Sequence, residues 1–192
     1  MPSIHRFAMM LVGLAAVLFA GAPFVALAAG NTGDIVVRAE KEGAAIHVHV
    51  ELPVDAPRTL VWEVLTDYDR MTEFISTLQQ SVVRMRFGDR LQVFQKGVVS
   101  RGPLTFPFES LRDIELSPQR EVRSRVITGD TMPAEFTTRI EERGGLLQVI
   151  HTGRYTPSIW IPPILGTALI EMETRKQYGE IRDEILRRKV AP

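Results

Sequence analysis

The stretch Trp160–Lys189, WIPPILGTALIEMETRKQYGEIRDEILRRK, decides how the rest of the chain is read. Ile161-Pro162-Pro163 opens it, and proline suits a first helical turn, where the backbone N–H has no partner in any case. Ile170, Thr174, Tyr178, Ile181 and Ile185 recur at steps of three or four, which places them on one helix face. Glu171/Arg175, Asp183/Arg187 and Glu184/Arg188 have the acid four residues before the base, the favourable order for solvent-side pairs. Arg187, Arg188 and Lys189 set positive charge at the end where the helix dipole favours it. The first half differs. Ile164, Leu165, Ala168, Leu169, Ile170 and Met172 are apolar nearly all round, which predicts cover on more than one side.

Residues 1–28 have the pattern of a targeting segment rather than of fold. His5 and Arg6 form a short basic start, Phe7–Phe19 is apolar, and Ala26-Leu27-Ala28 is a small-x-small cleavage site. The run is short for a bilayer span of about 20 residues, so a cleaved signal peptide is favoured over a retained anchor, and a periplasmic or secreted location follows. The chain has no cysteine, which excludes disulfides and thiol chemistry. Removing Arg6 with the leader leaves 22 basic against 23 acidic side chains, a balance with no electrostatic footprint for nucleic acid. About 164 residues remain, enough for one domain.

Between the leader and the final helix the pattern is strand, helix, strands. Residues 29–44 form a leader with a possible first strand at Ile35–Ala39. Ile46, Val48, Val50 and Leu52 alternate with His47, His49 and Glu51. Asp55 is then expected to cap a helix with Pro57 in its first turn and an apolar face at Val61, Val64, Leu65 and Tyr68, with a further helical turn near Met71–Ile75. From Ser81 to Tyr155 the period is two, with turn residues every eight to twelve positions. Connections that short make the sheet antiparallel, largely a meander of six or seven strands. Its dry face would carry Val93, Phe106, Phe108, Ile114, Val126, Phe136, Ile140, Leu147 and Val149. The fold class is α+β, a curved antiparallel sheet and a long C-terminal helix around one core.

Val54-Asp55-Ala56-Pro57 leading into Val61-Trp62-Glu63-Val64-Leu65-Thr66-Asp67-Tyr68 resembles the START-like (SRPBCC) superfamily, its polyketide cyclase/coenzyme Q-binding branch above all. Trp160-x-Pro162-Pro163 and Glu184-x-x-x-Arg188 are similar too, and the resemblance spans residues 45–190 almost entirely. These are packing and turn residues, so they speak to fold more than to function. The resemblance implies a helix-grip fold, with an internal apolar cavity between sheet and helix. Members hold lipids, quinones, polyketides or hormones there, and a minority do chemistry. It implies an apolar small-molecule partner, no cofactor, and cavity candidates Trp62, Phe106, Phe108, Phe136, Leu147, Val149, His151, Tyr155, Trp160, Leu165, Leu169 and Met172.

Each candidate has a plainer reading. Trp160, Ile161, Ile164 and Leu165 either line a mouth that touches a membrane transiently or plug one end of the core. His151 is in register with Leu147, Val149, Gly153 and Tyr155, which points it into the cavity as a general acid/base, as a donor to a ligand head, or as a satisfied buried histidine. His47 and His49 share a strand face, a spacing that metal sites use, but oppose the apolar alternation and so face solvent. Arg84, Arg86, Arg123, Arg125 and Arg139 suit cross-strand pairs on the wet face, with Glu109, Glu141 and Glu142 as available partners. No Gly-x-Ser-x-Gly, His-Glu-x-x-His or glycine-rich phosphate loop is present. The leading function is an exported carrier for a lipid, quinone or isoprenoid. The alternatives are a polyketide-type cyclase or dehydratase, and a ligand-free envelope interaction module.

Overall fold

The computed structural model describes residues 33–101, 104–157 and 166–191. The expected signal peptide, the Gly102-Pro103 turn, and Trp160, Ile161, Ile164 and Leu165 lie outside the described residues.

Eight strands form one curved antiparallel sheet: β1 (Val36–Glu42), β2 (Ala45–Val54), β3 (Leu78–Phe87), β4 (Arg90–Arg101), β5 (Leu104–Ser117), β6 (Glu121–Gly129), β7 (Thr131–Arg143) and β8 (Leu146–Pro157). Helix α1 (Arg58–Thr66) and a 3-10 helix (Tyr68–Glu73) sit between β2 and β3, and helix α2 (Gly166–Val190) ends the chain. The spatial order is β1-β2-β8-β7-β6-β5-β4-β3, a meander whose last strand returns to pair with β2. The expected six or seven strands become eight because the leader contributes a full edge strand, paired from Val36↔Glu51 to Glu42↔Ala45. Helix α2 holds that edge: Glu171 accepts from the Ala39 N–H at 2.8 Å, and Arg175 donates to the Ile35 carbonyl. The expected Glu171/Arg175 pair is therefore replaced, each side chain satisfying an edge-strand group that would otherwise face water.

The start of α1 also differs from expectation. Its N-cap is Pro57, with no side-chain cap. The residue before a proline is pushed out of helical conformation, so the helix begins after Pro57. Asp55 instead accepts from Lys189 Nζ at 3.0 Å, tying the start of α1 to the end of α2.

One core cluster joins β1, β2, α1, β8 and α2 through Val37, Val50, Leu52, Val54, Val61, Val64, Val149 and Ile185. A second surrounds Tyr68, Leu91, Val93, Ile114 and Val122. Trp62 and Met71 pack against both. On α2, Tyr178, Ile181 and Ile185 are buried and Ile170 packs on the core, as the periodicity predicts. The two-sided cover does not extend along the described first half: Ala168 is exposed, and Met172 is 45% exposed. Helix α2 packs mainly on β1, β2 and α1, so its opposite side stays open to water.

The wet face carries the expected arginines with other partners. Register places Arg139 opposite Glu121 and Arg125 opposite Asp113. Arg139 and Arg123 converge on Glu121 at 2.6 and 2.7 Å, and Arg125 lies 3.8 Å from Asp113. His47 lies 2.9 Å from Glu42 and His49 lies 3.0 Å from Glu51 on the same outer face. Among the described residues no group of three His, Asp or Glu is placed to hold a metal ion.

Candidate functional site

Strand alternation delivers a mixed set of side chains to the space between the concave face of the sheet and α2. Along β8, Val149, His151, Gly153 and Tyr155 point the same way. Their neighbours on β7 are Ile140, Thr138, Phe136 and Ala134, each directly opposite. Two glycines shape the floor. A Cβ on Gly153 would lie 2.3 Å from Phe136 Cδ1, and one on Gly97 would lie 2.6 Å from Phe108 Cζ. Each phenylalanine thus lies over its cross-strand glycine, in space that a side chain there would occupy. Phe106, Phe108 and Phe136 are only half-buried although they face inward.

Polar groups converge above this floor. Phe136 stacks on His151 with centroids 5.6 Å apart and lies 6.1 Å from Tyr155. The His151 ring is 5.4 Å from that of Tyr178 on α2. His151 Nδ1 shares a 2.9 Å hydrogen bond with the Thr138 hydroxyl. From β5, Arg112 donates to the Gln95 side-chain carbonyl, and Gln95 donates to Ser81 Oγ at 3.0 Å and toward Met71 Sδ.

Burial dominates the electrostatics. It pushes His151 down to about 4, with the Arg112 charge and His49 adding in the same direction. It pushes Tyr68 and Tyr155 up to about 12 and Tyr178 higher still, Thr138 and Arg112 opposing in the last case. At neutral pH the imidazole and all three phenols are therefore uncharged. Burial also lowers the Arg112 pKa, but a guanidinium stays protonated. The His151 ring is expected to titrate near pH 4 in side-chain NMR, with flat shifts from pH 8 to 5. Its folded pKa lies below the unfolded 6.5, so stability is unaffected above pH 6.5 and falls as pH drops toward 4, by at most about 3 kcal/mol. Titration near 6.5 would contradict the burial.

The sequence candidates divide accordingly. Phe136, His151 and Tyr155 are brought together, with Phe106 and Phe108 on the same concave face. Val149 is fully buried core, Leu147 packs at the α1 end of β8, and Trp62 sits between the two clusters. Leu169 is half-buried, and Met172 lies on the exposed side of α2. Arg112, Gln95, Thr138 and Tyr178 were not among the candidates. The signal for Arg112 was its place two residues before Ile114, on the dry-face parity. A surface depression of about 400 Å³ lined by Arg38, His47, His49 and Arg154 lies on the outer face, behind the same stretch of β2 and β8.

Residues 54–176 match the family described as polyketide cyclase / dehydrase and lipid transport. Solved structures share the fold at low identity. TTHA0849 from Thermus thermophilus is 19% identical with a TM-score of 0.63, covering 74% of this chain and 98% of its own. The Zhui aromatase/cyclase from Streptomyces sp. R1128 is 16% identical at 0.60, covering 76% and 93%. A STAR-related lipid transfer protein fragment from Xanthomonas axonopodis is 10% identical at 0.59, covering 80% and 99%. No curated protein matches the chain.

Proposed function

Because the chain belongs to the polyketide cyclase / dehydrase and lipid transport family, we propose that it is a carrier for an apolar small molecule held between sheet and α2. One observation carries the reading: inward-facing Phe106, Phe108 and Phe136 keep accessible surface, and two of these rings lie over glycines. A core with no occupant would fill that space, since interiors pack to high density. Burying about ten methylenes at about 0.8 kcal/mol each gives roughly 8 kcal/mol, enough for micromolar retention without any polar contact.

Carriage is favoured over catalysis by the tuning of the polar groups. A general acid or base works best with a pKa near the operating pH. His151 at about 4 is a weak base, and phenols at about 12 are weak acids. Polyketide-type cyclisation is the second reading, favoured by one feature: the Arg112 charge close enough to His151 to depress it could also polarise a bound carbonyl.

Native mass spectrometry of protein purified gently from its host, followed by organic extraction, tests both. About one equivalent of an apolar molecule, released chemically unchanged, is expected. A converted molecule would select the cyclase. A clean apo mass after incubation with host lipid extract would select a ligand-free interaction module. The same mass reads the N-terminus. On the sequence of residues 1–28 the reading includes export with cleavage, and a chain retaining Met1–Ala28 would sink that part. A carrier of a bilayer-soluble molecule must meet a membrane to load, and Trp160, Ile161, Ile164 and Leu165 are the proposed gate on sequence grounds.

A further inference from the structure

Among the described residues Arg112, part-buried on the concave face of β5, has no anionic partner. Its Nη2 donates to the neutral Gln95 carbonyl, and its Nε is buried with no acceptor among the described residues. The groups that act on its charge are Tyr68 and Tyr178, and both phenols are held neutral by burial, so neither neutralises it. Gln95, its one acceptor among the described residues, is 4% exposed and committed on its amide side to Ser81. The two acidic side chains in the buried class are both paired: Glu121 with Arg123 and Arg139, Glu184 with Arg187 and Arg188. A charge drawn largely out of water without an anion is costly, and such an arginine is not a stability device. Its retention calls for something the free chain does not supply.

We infer that the occupant of the cavity carries a carboxylate head, and that Arg112, which keeps part of its surface accessible, receives it. This rests on the carrier reading and narrows its ligand class from apolar molecules at large to monoanionic amphiphiles. The guanidinium fork matches the two oxygens of a carboxylate. One guanidinium also matches one negative charge, whereas a phosphate monoester brings nearly two. His151 adds no positive charge at neutral pH, so it cannot supply the second. It supplies the Thr138–His151 pair as a neutral, polar border next to the head. Phe136 and Tyr155 then border the apolar tail on the other side of the imidazole.

The test is isothermal titration of the delipidated protein at pH 7.5 with straight-chain carboxylic acids of about 10 to 18 carbons and the matching primary alcohols. The two series share tail and shape, and differ in head charge. The wild type is expected to bind the best acid at least about ten-fold tighter than its alcohol, and Arg112→Gln to cut that ratio to about two or less while leaving the alcohol affinity in place. Equal affinity for acid and alcohol in the wild type overturns the carboxylate anchor and leaves the carrier reading standing. Binding of neither series overturns both. A second variant separates anchor from scaffold: Arg112→Met, free of ligand, is expected to melt within a few degrees of the wild type, because removing an unpaired charge offsets the donor that the Gln95 carbonyl loses. A clear loss of melting temperature, or failure to fold, would assign Arg112 to structure and overturn the inference.

Discussion

Val149→Asp is expected to leave no stably folded protein at neutral pH. Val149 is 0% exposed, lies on β8 between Leu52 of β2 and Ile140 of β7, and belongs to the larger core cluster. The substitution forfeits about 2 kcal/mol of apolar burial and then buries an unpaired carboxylate, costing several kcal/mol more. A total of about 5 kcal/mol or more is comparable to the whole stability of a domain this size. Leu147→Asp, two residues earlier on the same strand face, is expected to cost only about 1–2 kcal/mol, because Leu147 is half-buried beside open space at the α1 end of the sheet. Urea titration followed by circular dichroism checks the pair. A folded Val149→Asp protein within about 2 kcal/mol of wild type would show that this part of the core is looser than the packing implies. The contrast also governs ligand experiments, since a charge at Val149 removes the fold before it can report on a cavity.

Sequence could not separate Leu147, Val149 and His151, and the reason is physical. Period-two alternation assigns residues to a face of the sheet, and all three share that face. Whether a face is filled or open depends on what lies above it. Above Val149 the space is taken by the packed core that includes Ile185, whereas above Phe136 and His151 it is shared with a tyrosine and bordered by a glycine. That division follows from the path of α2 over the sheet. The strands, by contrast, were legible almost throughout, because turn residues such as Gly88, Gly129 and Gly144 take positive φ and end each run. The ends of α1 and α2 were less so. Asp55, Glu171 and Arg175 each have a plausible local partner and satisfy a distant group instead, and Asp67 adds distant Arg188 to its local Arg70. Arg112 was the most informative omission: a charge on the dry-face parity reads as a wet-face arginine unless its alternation with Ile114 is followed.

Glu184→Gln is expected to destabilise the protein by about 2 kcal/mol at pH 7 and to change the shape of its acid unfolding. Glu184 is 7% exposed and accepts from Arg187 at 2.7 and 2.8 Å and from Arg188 at 2.6 Å. Arg188 also donates to Asp67 at 2.8 Å and lies over the Phe74 ring, so one glutamate orients the arginine that ties the end of α2 to the end of α1. The hydrogen bond from Arg187, opposed by burial and reinforced by Arg188, pulls the Glu184 carboxyl down to about 2. A folded pKa below the unfolded one contributes stability that is present above about pH 4.5 and lost as pH falls toward 2. The full shift corresponds to roughly 3 kcal/mol, and about 2 is the better expectation because Arg187 is 61% exposed and screened by water. For a chain of this length that is a fall in melting temperature of roughly 6 °C. The pH profile separates this hub from the interior histidine, whose window runs from 6.5 down to about 4. In the glutamine variant the loss between pH 6.5 and 4.5 should persist while the further loss toward pH 2 shrinks. If both windows flattened together, the hub and the His151 cluster would be energetically coupled through α2 rather than independent, and the separate accounts of Glu184 and His151 would fail as a pair.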